Sequence, residues 1–288
     1  MMKFFTKEYY LNKFIWPFFP ELQYWYQTKK YYKKVTGKTL NYHHPRDLNE
    51  KLLWLNRYWR PKIKTTCTDK YTVRNYLIEK GLGEFLIPLI GVYKSVDEID
   101  FSALPSSFVL KCNHGSGCNV VCTDKKMLNI EETKQKLNIW LDTDYSKILW
   151  EVHYHDIPRK IICEKLLSKK APIEYQFWCL NGTPESILVC RKNFDGTYEA
   201  VSYSLDYERL YDRKEEPIQS PFDTPPSNLY KMIELSKILS KDFPFVRVDL
   251  FDVNNKVYFA ELTFTPAGNF FTTYKEKFLN RLGEKLVI

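Results

Sequence analysis

Glycine is scarce in this chain, with only ten in 288 residues, and nowhere do they fall in the order GxxxxGK[ST]. That excludes a Walker A phosphate loop. The seven cysteines are an odd number and include no CxxC pair, which argues against a disulfide scaffold. Cys163, Cys179 and Cys190 sit in apolar runs, where a reduced thiol acts as a small hydrophobe. A cytoplasmic setting is expected. Long apolar runs are also missing. Residues 1–34 hold Phe4, Phe5, Tyr9, Tyr10, Trp16, Phe18, Phe19, Tyr24, Trp25, Tyr26, Tyr31 and Tyr32 among lysines. No stretch there approaches the ~20 residues of a membrane span, and no small-residue cleavage site marks a signal peptide. Such a segment suits peripheral contact with the anionic inner face of a membrane, or packing against its own domain, which is the expectation here.

What is present supports a sizeable core: 44% of the residues are hydrophobic, enough for two or three lobes. The formal charge of +8 suits an anionic partner. The strongest local pattern is the hairpin over residues 245–268. Two runs rich in β-branched and aromatic residues flank Asn254-Asn255, which reads as strand, tight loop, strand. Alternation puts Val246, Val248 and Leu250 on one face, and Phe245, Arg247, Asp249 and Phe251 on the other. In the second run it puts Tyr258, Ala260 and Leu262 opposite Phe259, Glu261 and Thr263. With Val253 facing Val257 across a three-residue loop, Asp249 faces Glu261 and Arg247 faces Thr263. A two-residue loop would set Asp249 beside Ala260 instead, so loop length decides the outcome. The first register is favoured. Its paired carboxylates suit Mg²⁺, and its Arg could neutralise charge on a transferred phosphoryl group. A solvated ladder of charges is the plainer alternative.

The second signal is residues 107–121. An apolar strand ends in Lys111 and runs through Asn113-His114-Gly115-Ser116-Gly117 before apolar residues resume. Strand, glycine-rich loop, strand is how a backbone hairpin covers a triphosphate, with a strand-borne Lys offsetting charge. Helices are expected over 41–58, from Thr68 as cap to Gly81, over 130–141 behind the cap Asn129, and over 227–240. Lys70 and Arg74, four apart, could point together at an anion. Strands are expected at 160–167, at 174–180 and at 186–190, the last two joined by Asn181-Gly182. Residues 191–227 read as loop, His43 and His44 as loop residues without a role, and His153 and His155 as surface.

This order of parts resembles the ATP-grasp superfamily, and its TupA-like branch of bacterial surface-polysaccharide proteins in particular. The resemblance rests on Leu48-Asn49-Glu50-Lys51-Leu52-Leu53-Trp54, Asp69-Lys70-Tyr71-Thr72-Val73-Arg74, the Val109 to Gly117 stretch, Asp242-Phe243-Pro244-Phe245-Val246-Arg247-Val248-Asp249, and Glu261-Leu262-Thr263-Phe264-Thr265-Pro266. It implies an α+β ATP-grasp fold, two sheet-containing lobes clamping ATP behind a helical, aromatic-rich N-terminal region. The implied division is 1–66, then an ATP-grasp domain over 67–288 with a lid at about 105–165 and a catalytic lobe at 166–288. It further implies that Lys70, Arg74 and Lys111 contact phosphates, that His114, Gly115, Ser116 and Gly117 cover them, that Glu164, Lys165 and Leu167 line the adenine, and that Glu174 holds the ribose. Asp249, Glu261 and Thr263 would bind Mg²⁺, and Arg247 with Lys111 would be catalytic. Two departures stand out. Thr263 replaces the usual Asn ligand, and Gln176 stands where a Lys is frequent.

The implied chemistry is carboxylate-amine ligation through an acyl-phosphate, releasing ADP. The implied partners are an anionic glycan or its nucleotide- or lipid-linked precursor and a small amine or amino acid, with no nucleic acid. A glycosyltransferase, for which no clear DxD motif stands out, and an inactive nucleotide-binding protein at a membrane assembly are the rivals.

Overall fold

The computed structural model describes residues 15, 18–194 and 196–288. Phe4, Phe5, Tyr9, Tyr10 and Trp16 lie outside the described residues. Four helices lead in: α1 (Pro20–Thr36), α2 (Leu48–Tyr58), α3 (Lys62–Thr68) and α4 (Val73–Glu79). Of the described N-terminal aromatics, Tyr24 and Tyr32 are buried, the latter with Leu40, Tyr42, Leu53 and Phe270, Trp25, Tyr26 and Tyr31 are half-buried, and Phe18 and Phe19 are exposed. Among the described residues no helix is long and apolar enough to cross a membrane.

Two expected helix starts move. Helix α2 begins at Leu48, not near Asn41, because Asp47 Oδ1 caps the Glu50 amide at 2.9 Å. The buried Glu50 carboxylate then accepts the amides of Arg46 and Asn41, at 2.9 and 3.3 Å, which holds 41–46 as a loop. Thr68 ends α3 instead of capping α4, since its hydroxyl donates back to Lys64 O at 2.8 Å. Gly81, with φ of +73°, does terminate the next helix.

The first sheet comprises β1 (Leu89–Tyr93), β2 (Phe108–Cys112), β3 (Asn119–Cys122) and β4 (Ile161–Lys165), ordered β1-β4-β2-β3 and antiparallel throughout. Helix α5 (Ile130–Asp142) buries Leu137 against it, and Asn129 Oδ1 accepts the Glu132 amide at 3.1 Å, as its sequence suggests. The second sheet holds β5 (Glu174–Leu180), β6 (Thr183–Lys192), β7 (Tyr198–Tyr203), β8 (Phe245–Val253) and β9 (Lys256–Thr263), ordered β7-β6-β5-β8-β9. Strand β7 lies inside a stretch expected to be loop. Its short alternation, Val201 and Tyr203 one way and Ala200 the other, is hidden among charged residues.

Both faces of the second sheet are covered. On one, Phe177, Val246, Val248 and Leu250 pack under α6 (Leu229–Ser240) through Met232, Leu235 and Leu239. On the other, Trp178 is boxed by Phe245, Phe271, Tyr274 and Phe278, with centroid distances of 5.2 to 6.1 Å. Phe278 belongs to α7 (Glu276–Lys285), which shares this core with α2. Removing so large and enclosed a side chain leaves a cavity the neighbours cannot refill. Trp178→Ala should therefore cost about 3–5 kcal/mol in urea unfolding, whereas the same change at exposed Tyr230 should cost less than about 0.5 kcal/mol.

Candidate active site

The β8–β9 hairpin turns in two residues. Asn254 and Asn255 have φ of 53° and 59°, and Val253 pairs with Lys256; left-handed conformations at both positions are those of a type I′ turn. The three-residue loop expected from sequence is thus absent, yet Asp249 still pairs with Glu261 and Arg247 with Thr263. The reason is a bulge. Leu250 faces Phe259 while Asp249 faces Glu261, so Ala260 has no partner. The extra residue also overturns the expected faces. Val257, Phe259 and Leu262 all enter the core beside Val248 and Leu250, which leaves Glu261 and Thr263 with Arg247 and Asp249.

On that face Arg247 grips Asp249 with two hydrogen bonds, Nε to Oδ1 at 2.7 Å and Nη2 to Oδ2 at 2.6 Å. Thr263 Oγ1 donates to Glu261 Oε1 at 2.9 Å and lies 3.3 Å from Asp249 Oδ2. Arg247 Nη2 stands 3.8 Å from Glu261 Oε1. From β5, Gln176 pairs with Asp249 in register and donates to Glu174 at 3.1 Å, which brings a third acid to the face. Burial raises the Asp249 carboxyl well above its usual range; Arg247 opposes that, and Glu174 and Glu261 add repulsion. Glu174 is pushed up by burial too, with Arg247 opposing. Glu261 differs. Burial disfavours its charge, but Lys70 and then Arg247 outweigh that and hold it at about 2.

Lys70 comes from the turn between α3 and α4. Its Nζ donates to Gly115 O at 2.7 Å and lies 3.4 Å from Glu261 Oε2, so one ammonium touches both the glycine loop and the acidic hairpin. Glu164 on β4 binds two cations, Lys111 at 2.7 Å and Arg74 at 3.4 Å. Lys70, Arg74, Lys111, Glu164, Phe259 and the bulge residue Ala260 line one narrow cleft between the sheets. In this structure the Glu164 carboxylate is therefore occupied by the cations expected to meet phosphate.

The rest of the glycine loop is placed less uniformly. Gly115 has no room for a side chain, since a Cβ would lie 2.7 to 2.9 Å from the Tyr145 ring, and Gly117 has φ of +75°. Ser116 is exposed. His114 is buried against Tyr145, with neither ring nitrogen hydrogen-bonded among the described residues. Lys165 points outward while its amide bonds Pro88 O at 3.0 Å, and Leu167 is half-buried. Sequence reasoning missed Asn113 within the motif it quoted. Asn113 donates to Asp69 at 2.8 Å and to Pro158 O at 2.9 Å, and accepts the Lys160 amide at 2.7 Å. It stitches the loop to both flanks.

Other expectations resolve plainly. All seven cysteines are buried and free. His153 is buried, not at the surface, because residues 152–154 tuck beneath Phe264 and Thr265. The one DxD string, Asp142-Thr143-Asp144, serves a turn: Asp144 Oδ1 accepts from the Ser146 amide at 3.1 Å, and its carboxylate pairs with Lys147.

The family model described as TupA-like ATPgrasp matches residues 50–287. The chain belongs to the TupA-like ATP-grasp family. No curated protein matches it. Among solved structures it is similar to D-alanine-D-alanine ligase from Helicobacter pylori, at 15% identity and TM-score 0.45, covering 83% of this chain and 69% of that one. It is also similar to an L-amino acid ligase from Bacillus licheniformis, at 16% identity and TM-score 0.49, covering 83% and 55%. A Bacillus anthracis D-alanine-D-alanine ligase complexed with ATP matches at 15% identity and TM-score 0.40, covering 69% and 55%. The chain thus spans little more than half of the length of the last two, and at these TM-scores the likenesses add nothing to the family assignment.

Within this ATP-grasp protein the two cleft lysines lend themselves to separate tests. Lys111→Ala should weaken ATP binding about tenfold in calorimetric titration, the size of one charge-assisted contact. Lys165→Ala should change it by less than about threefold, because its side chain faces outward and its backbone bond survives. Lys70 governs Glu261 instead. A depressed carboxyl stabilises the fold above its unfolded value and loses that contribution as pH falls through the folded one. Lys70→Met should raise the Glu261 value above about 2, moving the loss to higher pH within the window below about 4.3, as NMR titration of the Glu261 side chain would show.

Proposed function

We propose that this ATP-grasp protein is an ADP-forming carboxylate-amine ligase acting on a uronic-acid-type carboxylate of an anionic glycan, or of its nucleotide- or lipid-linked precursor, with an amino acid or other small amine. The observation that carries the reading is that Arg247, Asp249, Glu261 and Thr263 share one sheet face, with Lys70 reaching Glu261 from the cleft that Arg74 and Lys111 also line. The acidic-glycan choice is supported by the charge of +8 and by the resemblance to surface-polysaccharide proteins.

The residues fit Mg²⁺. Asp249 and Glu261 are hard oxygen donors on neighbouring strands, both within hydrogen-bonding distance of the Thr263 hydroxyl, and one or two carboxylates are what Mg²⁺ ordinarily takes from a protein. Among the described residues no set of three or more His, Cys, Asp or Glu groups gathers as a metal site, so the protein's share would be two carboxylates and a hydroxyl. Bound there, Mg²⁺ would supply charge neutralisation between nucleotide and acid.

The chain's own residues account for the rest. Lys111 and Arg74, now held by Glu164, would turn to the triphosphate. Lys70 would hold the glycine loop over it through Gly115 O. Arg247 would offset the charge that builds as a carboxylate oxygen attacks the γ-phosphorus and ADP leaves. The amine nitrogen then attacks the acyl carbon, and phosphate departs carrying the amine's proton. No enzyme nucleophile is required.

Arg247→Lys keeps the charge beside buried Asp249 but loses the fork. It should lower turnover about 10²–10³-fold while moving ATP affinity by less than about threefold, because the charge it offsets develops in the transition state. Reducing the glycan's carboxylates to alcohols should abolish amine-dependent ADP release. Turnover surviving that reduction, or release of a sugar-nucleotide diphosphate without ATP consumption, would overturn the ligase reading.

A further inference from the structure

A second cavity lies apart from the cleft between the sheets. It measures about 530 Å³ and lies between α1, the start of α3 and residues 146–156, within the roughly 300–1,000 Å³ of small-molecule sites. Tyr24 and Trp150 give it aromatic walls, while Arg60, Lys64 and His153 bring nitrogen to it. Arg60 is already paired with Glu21 at 2.7 Å. The other two are not. Lys64 is 2% exposed, and its Nζ has Asn56 Oδ1 at 3.3 Å and no carboxylate within 4.0 Å among the described residues. His153 is 5% exposed and its Nδ1 has no partner there. Burying an amine is costly, and here burial and repulsion from Arg60 outweigh the attraction of the Glu151 carboxylate and bring Lys64 down to about 7.

A residue of the cavity wall also touches the segment that follows Thr263. His153 Nε2 lies 3.5 Å from Thr265 Oγ1, and that hydroxyl also bonds the Glu151 carboxylate. Thr265 stands two residues beyond Thr263. Glu151 is raised to about 7, chiefly by burial, which the Thr265 hydrogen bond and the Lys64 ammonium oppose, while Glu261 adds repulsion. Arg247, Asp249 and Glu261 themselves do not line the cavity. A carboxylate being activated must lie against those three, so any anion at Lys64 is a second one.

We propose that this cavity holds the acceptor saccharide, with its pyranose faces on Tyr24 and Trp150 and a second anionic group, apart from the carboxylate being activated, seated against Lys64 and His153. The ligand therefore carries at least two anions. The inference rests on the ligase reading for the identity of the first. Either a neighbouring uronate or the diphosphate of a linked precursor supplies the second with the same chemistry.

The test is calorimetry on the full chain, with Mg²⁺ and a non-hydrolysable ATP analogue saturating the nucleotide cleft, using digalacturonate, UDP-glucuronate, glucuronate and neutral cellobiose. One of the two probes with a second anionic group, digalacturonate or UDP-glucuronate, should bind at least about tenfold tighter than glucuronate, the worth of a charge-assisted contact, and cellobiose should bind weakest. Preference for digalacturonate identifies the glycan as source, and preference for UDP-glucuronate the precursor. Lys64→Met, close in shape and free of the buried charge, should reduce the preference below about threefold. Thr65→Trp, which fills the cavity from a half-buried wall position, should abolish saccharide binding. Equal affinity for the charged probes, no binding of either of those two, or a preference that survives both substitutions overturns the proposal. ADP release separates the two readings. Binding as expected with no acceptor-dependent ADP leaves the cavity assignment standing and removes the ligase, whereas turnover indifferent to both substitutions does the reverse.

Discussion

Two carboxylates held side by side on adjacent strands repel one another, and the centre of this molecule is arranged around that repulsion. Asp249 and Glu261 face each other across β8 and β9 with Glu174 on the same face. The protein answers with cations of different reach. Arg247, on the same strand as Asp249, forks onto it, and Lys70 arrives from outside the sheet to meet Glu261. Because Lys70 also binds the Gly115 carbonyl, neutralising the hairpin draws the glycine loop down towards it. Local electrostatics thereby sets how the two sheets approach.

The opposing side of the cleft repeats the pattern with the signs reversed. Lys111 and Arg74 converge on Glu164, so the positive charge on this side of the cleft is held in ion pairs. Half-buried pairs of this kind contribute little net stability, because desolvation offsets much of their attraction. Their worth is geometric. They keep long side chains ordered at the cleft in readiness for an anion that can compete with Glu164. Asn113 fixes the surrounding backbone with three hydrogen bonds, which lets the loop stay in place with few glycines.

A single bulge decides which side chains share the active face. The turn at Asn254-Asn255 is two residues long, and regular pairing onward from it would carry Glu261 away from Asp249. Ala260 absorbs the mismatch. Beyond it the register places Glu261 opposite Asp249, and before it Phe259 stays in the core. The same residue lines the interlobe cleft, so the irregularity sits where backbone and ligand would meet.

Much of this was legible in the sequence. Period-two alternation placed Val246, Val248 and Leu250 in the core and Arg247 with Asp249 on the other face. Caps and glycines marked α5 and the end of α4, and Lys111 with its glycine loop was visible as strand, loop, strand. These are local effects, set by side-chain geometry within a few residues. What depended on long-range contact was not legible. The bulge at Ala260 follows from what packs beneath Phe259 and Leu262. Strand β7 exists because β6 offers it an edge, despite its charged surroundings. His153, Glu151 and Lys64 carry no motif and sit far apart in sequence. Only the packing of residues 151–154 against α3 and Thr265 buries them together, and burial is what perturbs the charge of otherwise ordinary side chains.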